Sequence, residues 1–197
     1  MNAQICVVRH GETDWNAAGV LQGWIDVPIN GTGRAQARAL AGDFASCGFA
    51  RVYCSPLARA QETAAIIAAE LALALPQVHE GLKERNFGSV QGVPKAEIAE
   101  KRPEVHRHIV ERNPAGHFAD GETMLDFHAR VLAAVAEIGA AHAGQCVLIV
   151  THGWVMDVVT RHVEGHPASA ILPIKRKNGE SIWLMAGPAG IVGCPPP

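Results

Sequence analysis

An arginine and a histidine stand side by side where the first apolar segment of the chain ends. Residues 4–8 read Gln-Ile-Cys-Val-Val, and Arg9, His10 and Gly11 follow at once. A short β-branched run that stops at glycine predicts a buried strand ending in a turn. Buried parallel strands present functional residues at their carboxyl ends, where open α/β sheets bind ligands. The pattern predicts a cation and an imidazole beside a crevice, although a basic strand end facing solvent has the same pattern.

Two later segments bring the same residue types to the same kind of position. A strand predicted over 51–54 leads into a helix beginning near Ser55, and Arg59 lies in its first turn. A strand predicted over 146–150 ends at His152. Parallel strand ends meet at one edge of a sheet, so we expect these groups in one crevice. Guanidinium groups without a neighbouring carboxylate match the oxygens of a phosphate, which predicts a bound anion.

Strands and helices alternate along the chain, which predicts a three-layer α/β/α sandwich with a mostly parallel sheet. Further strands are predicted over 77–79 and, at a sheet edge, over 181–185. Helices are predicted over 32–46, 55–73, 123–143 and 154–163, with Thr32 and Thr123 as N-caps. Two short polar helices predict a small cap over the site, at 95–101 and 104–112. Residues 16–31 are predicted to form a loop, and the Gly- and Pro-rich residues 187–197 are predicted to fray.

Bulk composition limits the class of protein. The 197 residues, 48% of them hydrophobic, predict a single domain over 1–197 with a cap insertion at roughly 86–120. A net charge of -2 argues against a partner such as nucleic acid or a membrane surface. The five cysteines form no CxxC pair, and no signal peptide or membrane span is recognised, which predicts a cytoplasmic location. A monomer and a homodimer both remain open.

Five segments together resemble the signature blocks of the histidine phosphatase superfamily, the phosphoglycerate mutase-like group. In chain order they are Arg9-His10-Gly11-Glu12-Thr13 with Asn16, Ser-Pro-Leu-Ala-Arg-Ala-Gln-Glu-Thr-Ala over 55–64, Leu82-Lys83-Glu84, Gly121-Glu122-Thr123 and His152-Gly153. Arg-His-Gly alone is a weak signal, but the five blocks in the family's order and spacing are a strong one.

The resemblance implies a fold and a set of roles. His10 would attack phosphorus and become a phosphohistidine, while Arg9 and Arg59 lower its pKa. Together with His152, these arginines would hold the phosphate oxygens. Glu84 would protonate the leaving oxygen and then take a proton from water. Further hydrogen bonds to phosphate or substrate would come from Asn16, Gln22, Gly23 and Gly153. The resemblance implies no metal and no cofactor.

Other interpretations of single residues remain open. Glu84, between Lys83 and Arg85, has the surroundings of a solvated loop acid, His152 those of a core histidine, and Asn16 those of a turn residue. The other eight histidines form no HExxH or paired Cys/His block, so they do not predict a metal site. The alternative of a metal-dependent hydrolase makes a different prediction, namely that a chelator would abolish the activity.

The family contains both phosphatases and mutases. The segment from Glu84 to Glu97 resembles the mutase block. However, only eight residues lie between Arg112 and Gly121, where cofactor-dependent mutases carry a longer insertion and adjacent arginines. Trp154 also stands where mutases usually have asparagine. The resemblance therefore favours a metal-independent phosphatase for a small phosphorylated metabolite. A phosphoglycerate mutase and a non-catalytic phospho-ligand binding protein are the alternatives.

Overall fold

The structure, a computed structural model, describes residues 1–173 and 175–197. Within them, six strands form one mixed sheet in the order β3-β2-β4-β1-β5-β6. The strands are β1 (Ala3–Arg9), β2 (Arg51–Cys54), β3 (Gln77–Val78), β4 (Cys146–Thr151), β5 (Ser181–Gly187) and β6 (Gly190–Gly193). The first four in this list run parallel, and β5 and β6 are antiparallel. The predicted mostly parallel sheet is confirmed.

Helices cover both faces of this sheet. They are α1 (Asp14–Ala17), α2 (Gly31–Asp43), α3 (Ala58–Glu70), α4 (Lys95–Lys101), α5 (Pro103–Glu111), α6 (Met124–Ala141) and α7 (Gly153–Val163). Cys6 and Val8 of β1 point to the face that α2 and α3 cover, and Ile5 and Val7 point to the face of α6 and α7. This alternation follows from the two-residue period of a strand. The predicted three-layer sandwich is confirmed.

The chain end differs from the prediction. The interpretation of residues 187–197 as frayed was wrong for 190–193, since these residues form β6 and pair with β5. Consequently β5 is not the edge strand. Gly190 adopts a φ of +102°, which a residue with a side chain rarely adopts, and this turn reverses the chain. A Gly- and Pro-rich composition predicts a frayed end, whereas here the glycine at 190 makes the turn of a hairpin.

Several helices begin at other residues than the sequence predicts, because local hydrogen bonds cap them differently. The loop predicted over 16–31 contains the end of α1, which Thr13 caps by accepting from the Asn16 N–H. Asn30, not Thr32, caps α2, because its Oδ1 accepts from the Gly33 N–H at 2.9 Å. Ser55 does not cap α3, which begins at Ala58, although Arg59 lies in its first turn as predicted. Thr123 caps α6 as predicted.

The two short helices α4 and α5 lie inside the segment predicted as a cap. Each fully buries one residue, Ile98 or Ile109, and leaves its polar residues exposed or partly exposed. Arg112, directly after α5, has a left-handed φ of +52°.

The treatment of the whole chain as one domain stays a prediction. None of the helices in the described part of the chain combines the length and hydropathy that a bilayer crossing requires.

Candidate active site

His10 follows β1 at the carboxyl edge of the sheet. Its backbone N–H donates to Thr151 O at 2.9 Å, which extends the pairing of β1 with β4. The ring Nδ1 lies 2.7 Å from Gly11 O. Because a carbonyl oxygen only accepts, Nδ1 carries the hydrogen and Nε2 keeps a free lone pair. Burial, then the charges of Arg59 and Arg9, lower the pKa of His10 well below its usual value, so this imidazole is neutral near pH 7.

The backbone after His10 is fixed by α2 and α3. A Cβ on Gly11 would lie 2.5 Å from Gly33 O, so this position requires glycine. The Gly11 N–H donates to Thr63 Oγ1 at 3.0 Å, and the same hydroxyl donates to Arg59 O at 2.7 Å. His10 and Arg59 are therefore tied to one another through a single buried threonine.

Arg59 reaches from α3 into the crevice as a buried, aligned guanidinium. Its Nη2 donates to Gly23 O at 2.7 Å, and its Nη1 donates to Ile25 O at 3.1 Å. Its Nε donates to His152 Nδ1 at 3.3 Å. Burial lowers the pKa of Arg59 to about 10, so the group stays charged at neutral pH.

Arg9 is the second guanidinium of the crevice. Its Nη1 donates to Arg176 O at 2.7 Å. Its buried Nε has no hydrogen-bond partner within residues 1–173 and 175–197. Burial, with the charge of Arg112, lowers the pKa of Arg9 to about 10, which leaves it protonated. A buried donor without an acceptor is rare, and an anion in the crevice would satisfy it.

His152 lies between Arg59 and Ser55, directly before α7. Its ring centroid is 5.1 Å from that of His10, and the two planes are tilted by 60°. Burial, then the Arg59 charge, lower the pKa of His152 well below its usual value. The structure thus brings His10, Arg9, Arg59 and His152 together, as their positions at strand ends predict.

Glu84 completes the crevice opposite these groups. Its side chain is buried, with the residue 8% exposed, so it is not the solvated loop acid that its charged neighbours suggested. Oε1 accepts from the Arg85 N–H at 3.0 Å, and Oε2 accepts from the Trp154 N–H at 3.4 Å. Burial raises the pKa of Glu84, against the opposing effects of the Arg85 N–H and of Arg59. A carboxyl group with a raised pKa is suited to proton transfer.

The loop at Gln22 and Gly23 contacts Arg59. Gly23 O accepts from Arg59, and Gly23 has a φ of +54° with no room for a Cβ beside the Gln91 side chain. The adjacent Trp24 donates its indole N–H to Glu84 O at 2.6 Å. The loop therefore connects Arg59 with the segment of Glu84. Gln22 itself lines the crevice, and its buried Oε1 has no partner in the described residues.

Asn16 and Gly153 also line the crevice. Asn16 Oδ1 accepts from the Thr13 N–H at 3.2 Å, and this bond does not use the N–H groups of the Asn16 amide. A Cβ on Gly153 would lie 2.8 Å from Arg112 Nη2, so the missing side chain makes room for Arg112. The roles of Asn16, Gln22, Gly23 and Gly153 toward a substrate stay predictions.

The far wall is formed by residues to which the sequence assigned no catalytic or binding role. The crevice has a volume of about 90 Å³. Its lining includes Lys95, Arg112, Phe87 and Trp154. Arg112 Nη1 lies 3.0 Å and 3.2 Å from the two carboxylate oxygens of Asp157, which is buried in α7. Asp157 stands among apolar residues of a helix, and acids are seldom buried without a partner, so this residue was a signal that could have revealed the pair.

The chain matches known proteins over most of its length. The family model described as "Histidine phosphatase superfamily (branch 1)" matches residues 5–191. The "uncharacterized phosphatase PhoE" of Bacillus subtilis is 32% identical over 161 residues, covering 82% of this chain and 77% of that protein. The "probable phosphoglycerate mutase GpmB" of an Enterobacter species is 31% identical over 192 residues, covering 93% and 89%. The solved structure of Bacillus stearothermophilus YhfR has a TM-score of 0.89 and 29% identity, covering 98% of this chain and 95% of that one. The chain belongs to the histidine phosphatase superfamily.

Proposed function

We propose that this chain is a phosphatase that hydrolyses a small phosphomonoester through a phosphohistidine on His10, without a metal ion. One observation carries the proposal. A neutral imidazole with a free Nε2 lines the same crevice as the guanidinium groups of Arg9 and Arg59 and the buried carboxyl group of Glu84. These are the nucleophile, the charge stabilisers and the proton donor that phosphoryl transfer requires.

In the first step, the Nε2 lone pair of His10 attacks phosphorus in line with the ester oxygen. The P–O bond breaks, and the leaving oxygen takes the proton of Glu84. The alcohol is released and the phosphoryl group stays on His10. The Nδ1–H bond to Gly11 O holds the ring in the required tautomer and supports the positive charge that forms on it.

In the second step, Glu84 acts in the opposite direction. Its carboxylate takes a proton from a water molecule, whose oxygen attacks phosphorus as the P–N bond breaks. Inorganic phosphate leaves, and His10 returns to its neutral form. Throughout, the free N–H groups of Arg9 and Arg59 stabilise the charge on the non-bridging oxygens. These steps use no metal ion.

The far wall supports a substrate with a second anionic group. Lys95 lines the crevice, and no carboxylate lies within ion-pair distance of it in the described part of the chain. Burial, then the positive charges of Arg9 and Arg112, lower the pKa of Lys95. A carboxylate or second phosphate on the substrate would balance that charge. Phosphoglycerate, named in the relative GpmB, has such a group.

A phosphoglycerate mutase is the second candidate, because Lys95 and Arg112 on this wall are cations that a second phosphate could contact. A mutase must hold a bisphosphate long enough to transfer it, which needs a strong second anion site. Here Asp157 already neutralises Arg112, so one of the two cations on the wall is balanced before any substrate arrives. This pairing supports the phosphatase over the mutase.

The test is hydrolysis of p-nitrophenyl phosphate in excess chelator by the natural protein and by His10→Ala. We expect turnover that resists chelator and falls by about 10⁴-fold or more in the variant. His142→Ala, at the far end of the sheet beside Tyr53, is the matched control and should retain turnover. An acid-labile phosphate on the His10 peptide should be trapped by rapid quenching.

Other results would select the alternatives. Turnover that survives His10→Ala contradicts the phosphohistidine, and loss of turnover in chelator contradicts metal independence. Transfer between phosphoglycerates that requires bisphosphoglycerate, without hydrolysis, identifies a mutase. Phosphate binding by a folded protein with no turnover on either substrate identifies a non-catalytic member.

A further inference from the structure

A turn directly before β5 is attached to the end of β1. The Glu180 N–H donates to Lys177 O at 3.2 Å, which closes a turn of four residues. Gly179, the third of them, has a φ of +77°, a conformation that glycine adopts readily. The Gly179 N–H donates to Arg9 O at 3.1 Å, and the Arg9 N–H donates to Glu180 O at 3.0 Å. These bonds hold the turn beside the residue that precedes His10.

Asn178, the second residue of this turn, contacts two groups of the site. Asparagine before glycine is typical of turns for backbone reasons alone, but this side chain also makes long-range bonds. Its Nδ2 donates to His10 O at 2.8 Å and to Asn16 Oδ1 at 3.4 Å. An amide nitrogen carries two hydrogens, and these two bonds use both. Asn178 therefore joins the residue of the proposed nucleophile to Asn16, which lies 162 positions earlier in the chain.

Main-chain groups determine the orientation of both amides. The carbonyl of His10 can only accept, so the Asn178 atom beside it is the nitrogen. The backbone N–H of Thr13 can only donate, so the Asn16 atom 3.2 Å from it is Oδ1. This oxygen also accepts from Thr13 Oγ1 at 3.1 Å. All of these bonds end on the oxygen of Asn16, whose amide N–H groups have no acceptor in the part of the chain that the structure describes. Because Asn16 lines the crevice, its N–H groups are left for a ligand.

Asn16 depends on this contact more than His10 does. Its helix, α1, has four residues, none of which is buried. Among the described residues, the Asn16 side chain bonds only to Asn178 and to Thr13, the N-cap of the same short helix. The main chain of His10 has a further support, since its N–H donates to Thr151 O at 2.9 Å. Loss of the Asn178 amide should therefore displace Asn16 more than the imidazole.

We propose that Asn178 is a positioning residue, which fixes Asn16 beside His10 so that the N–H groups of Asn16 meet the oxygens of the bound phosphate. Asn178 does not itself line the crevice and acts through Asn16. Its effect on rate rests on the proposed function. Its effect on phosphate binding requires only that the crevice is an anion site, so the two can be tested separately.

The experiment is a double-mutant cycle of Asn178 with Asn16. Calorimetry measures the Kd of inorganic phosphate, and kinetics on p-nitrophenyl phosphate measure kcat/KM. Asn178→Ala should raise Kd and lower kcat/KM, each by about 10-fold, because a hydrogen bond to a charged oxygen is misplaced. Asn178→Asp keeps the shape and suits the same turn but lacks both N–H groups, so it should lose at least as much. In Asn16→Ala, the additional change Asn178→Ala should alter either quantity by less than about 2-fold.

Asn30 offers a matched control, because its amide also makes two bonds and does not line the crevice. Its Oδ1 accepts from the Gly33 N–H at 2.9 Å, and its Nδ2 donates to Glu12 Oε1 at 3.0 Å. Asn30→Ala should lower the melting temperature, since it removes the cap of α2. Any effect that it has on phosphate binding should be the same with and without Asn16→Ala.

Three results would overturn the inference. They are an unchanged Kd in Asn178→Ala, a change by the same factor with and without Asn16, and a natural protein that binds no phosphate. The second would mean that Asn178 only stabilises the fold. Failure of the proposed function is seen separately, as turnover that survives His10→Ala, and it leaves the cycle of phosphate affinities to be judged by itself.

Discussion

The crevice has two sides that hold their cations in different ways. The phosphate cradle consists of Arg9, His10, Arg59 and His152 at the carboxyl edge of the sheet. There the two guanidinium groups donate to main-chain carbonyls, those of Arg176, Gly23 and Ile25, and to one neutral imidazole. The cap wall consists of Lys95, Arg112 and Trp154, and there Arg112 is held by the carboxylate of Asp157.

This difference determines how much charge each side offers to a ligand. A carbonyl oxygen orients a guanidinium group but leaves its net charge intact, whereas a carboxylate also cancels that charge. The cradle therefore keeps two full positive charges for the transferred phosphoryl group. The wall offers a ligand the charge of Lys95, whereas the ion pair of Arg112 with Asp157 has no net charge. We infer that the reaction is fixed by the sheet edge and that substrate preference is set by the wall.

Glu84 lies opposite the cradle, and its replacement should lower the rate more than replacement of Arg59, Arg112 or Lys95. Glu84→Gln keeps the shape of the side chain but removes its proton, so we expect kcat/KM to fall by about 10²- to 10⁴-fold. In the natural enzyme, activity should rise with pH as His10 loses its proton, at a pH below the usual histidine range. It should fall again at higher pH as Glu84 loses its proton, at a pH above the usual glutamate range. The variant should lose only the alkaline fall.

The control for this variant is Glu122→Gln. The Glu122 carboxylate pairs with Arg130 at a distance of 2.7 Å and does not line the crevice. Its pH profile should retain both limbs. If Glu84→Gln keeps the alkaline limb, a different group supplies the proton.

The two sides of the crevice can be compared directly through Arg59 and Arg112. Arg59→Lys keeps a positive charge but loses the fork, so kcat should fall by about 10²- to 10³-fold. Arg112→Lys changes a cation that Asp157 already balances, and its effect should be smaller and mainly on KM. Equal losses of kcat in both variants would contradict the division into cradle and wall. Steady-state kinetics on p-nitrophenyl phosphate and on phosphoglycerate measure both constants.

The cradle was predictable from the sequence because local rules place its members. Each of Arg9, His10 and His152 directly follows an apolar run, and Arg59 lies in the helix turn after another. Parallel pairing then brings the strand ends together without further information. The order of strands and helices and the buried faces followed from the same periodicities.

The cap wall could not be predicted in this way. Lys95 and Arg112 line the crevice because the segment of α4 and α5 lies beside it, and each of these short helices fully buries only one residue, Ile98 or Ile109. The partner of Arg112 is Asp157, 45 residues later; an acid in an apolar helix indicates that it has a partner, but tertiary packing determines which residue that is. Ser55 illustrates the same limit, since its sequence context predicts a helix cap whereas its hydroxyl contacts His152.

The neutral histidines of the cradle should make the protein sensitive to acid. Their native pKa values lie below the usual one, so as the pH falls the unfolded chain binds protons first. Stability is fully present above the usual histidine pKa and is lost as the pH falls below it. Each buried imidazole should add a slope of up to about 1.4 kcal/mol per pH unit. Urea unfolding across this range should show a flatter slope for His152→Gln than for the natural protein, and equal slopes would contradict the prediction.

Lys95 provides the test with the smallest expected effect, and it bears on the wall alone. Lys95→Ala should raise KM for phosphoglycerate by about 5-fold, because one partly exposed ion pair with the second anionic group is lost. KM for p-nitrophenyl phosphate, which has no such group, should not change. Lys101→Ala is the control, because Lys101 lies at the other end of α4 and pairs with Glu97 at 2.8 Å. Similar changes in KM for both substrates would mean that Lys95 contacts the transferred phosphate itself, and the separation of cradle from wall would then be wrong.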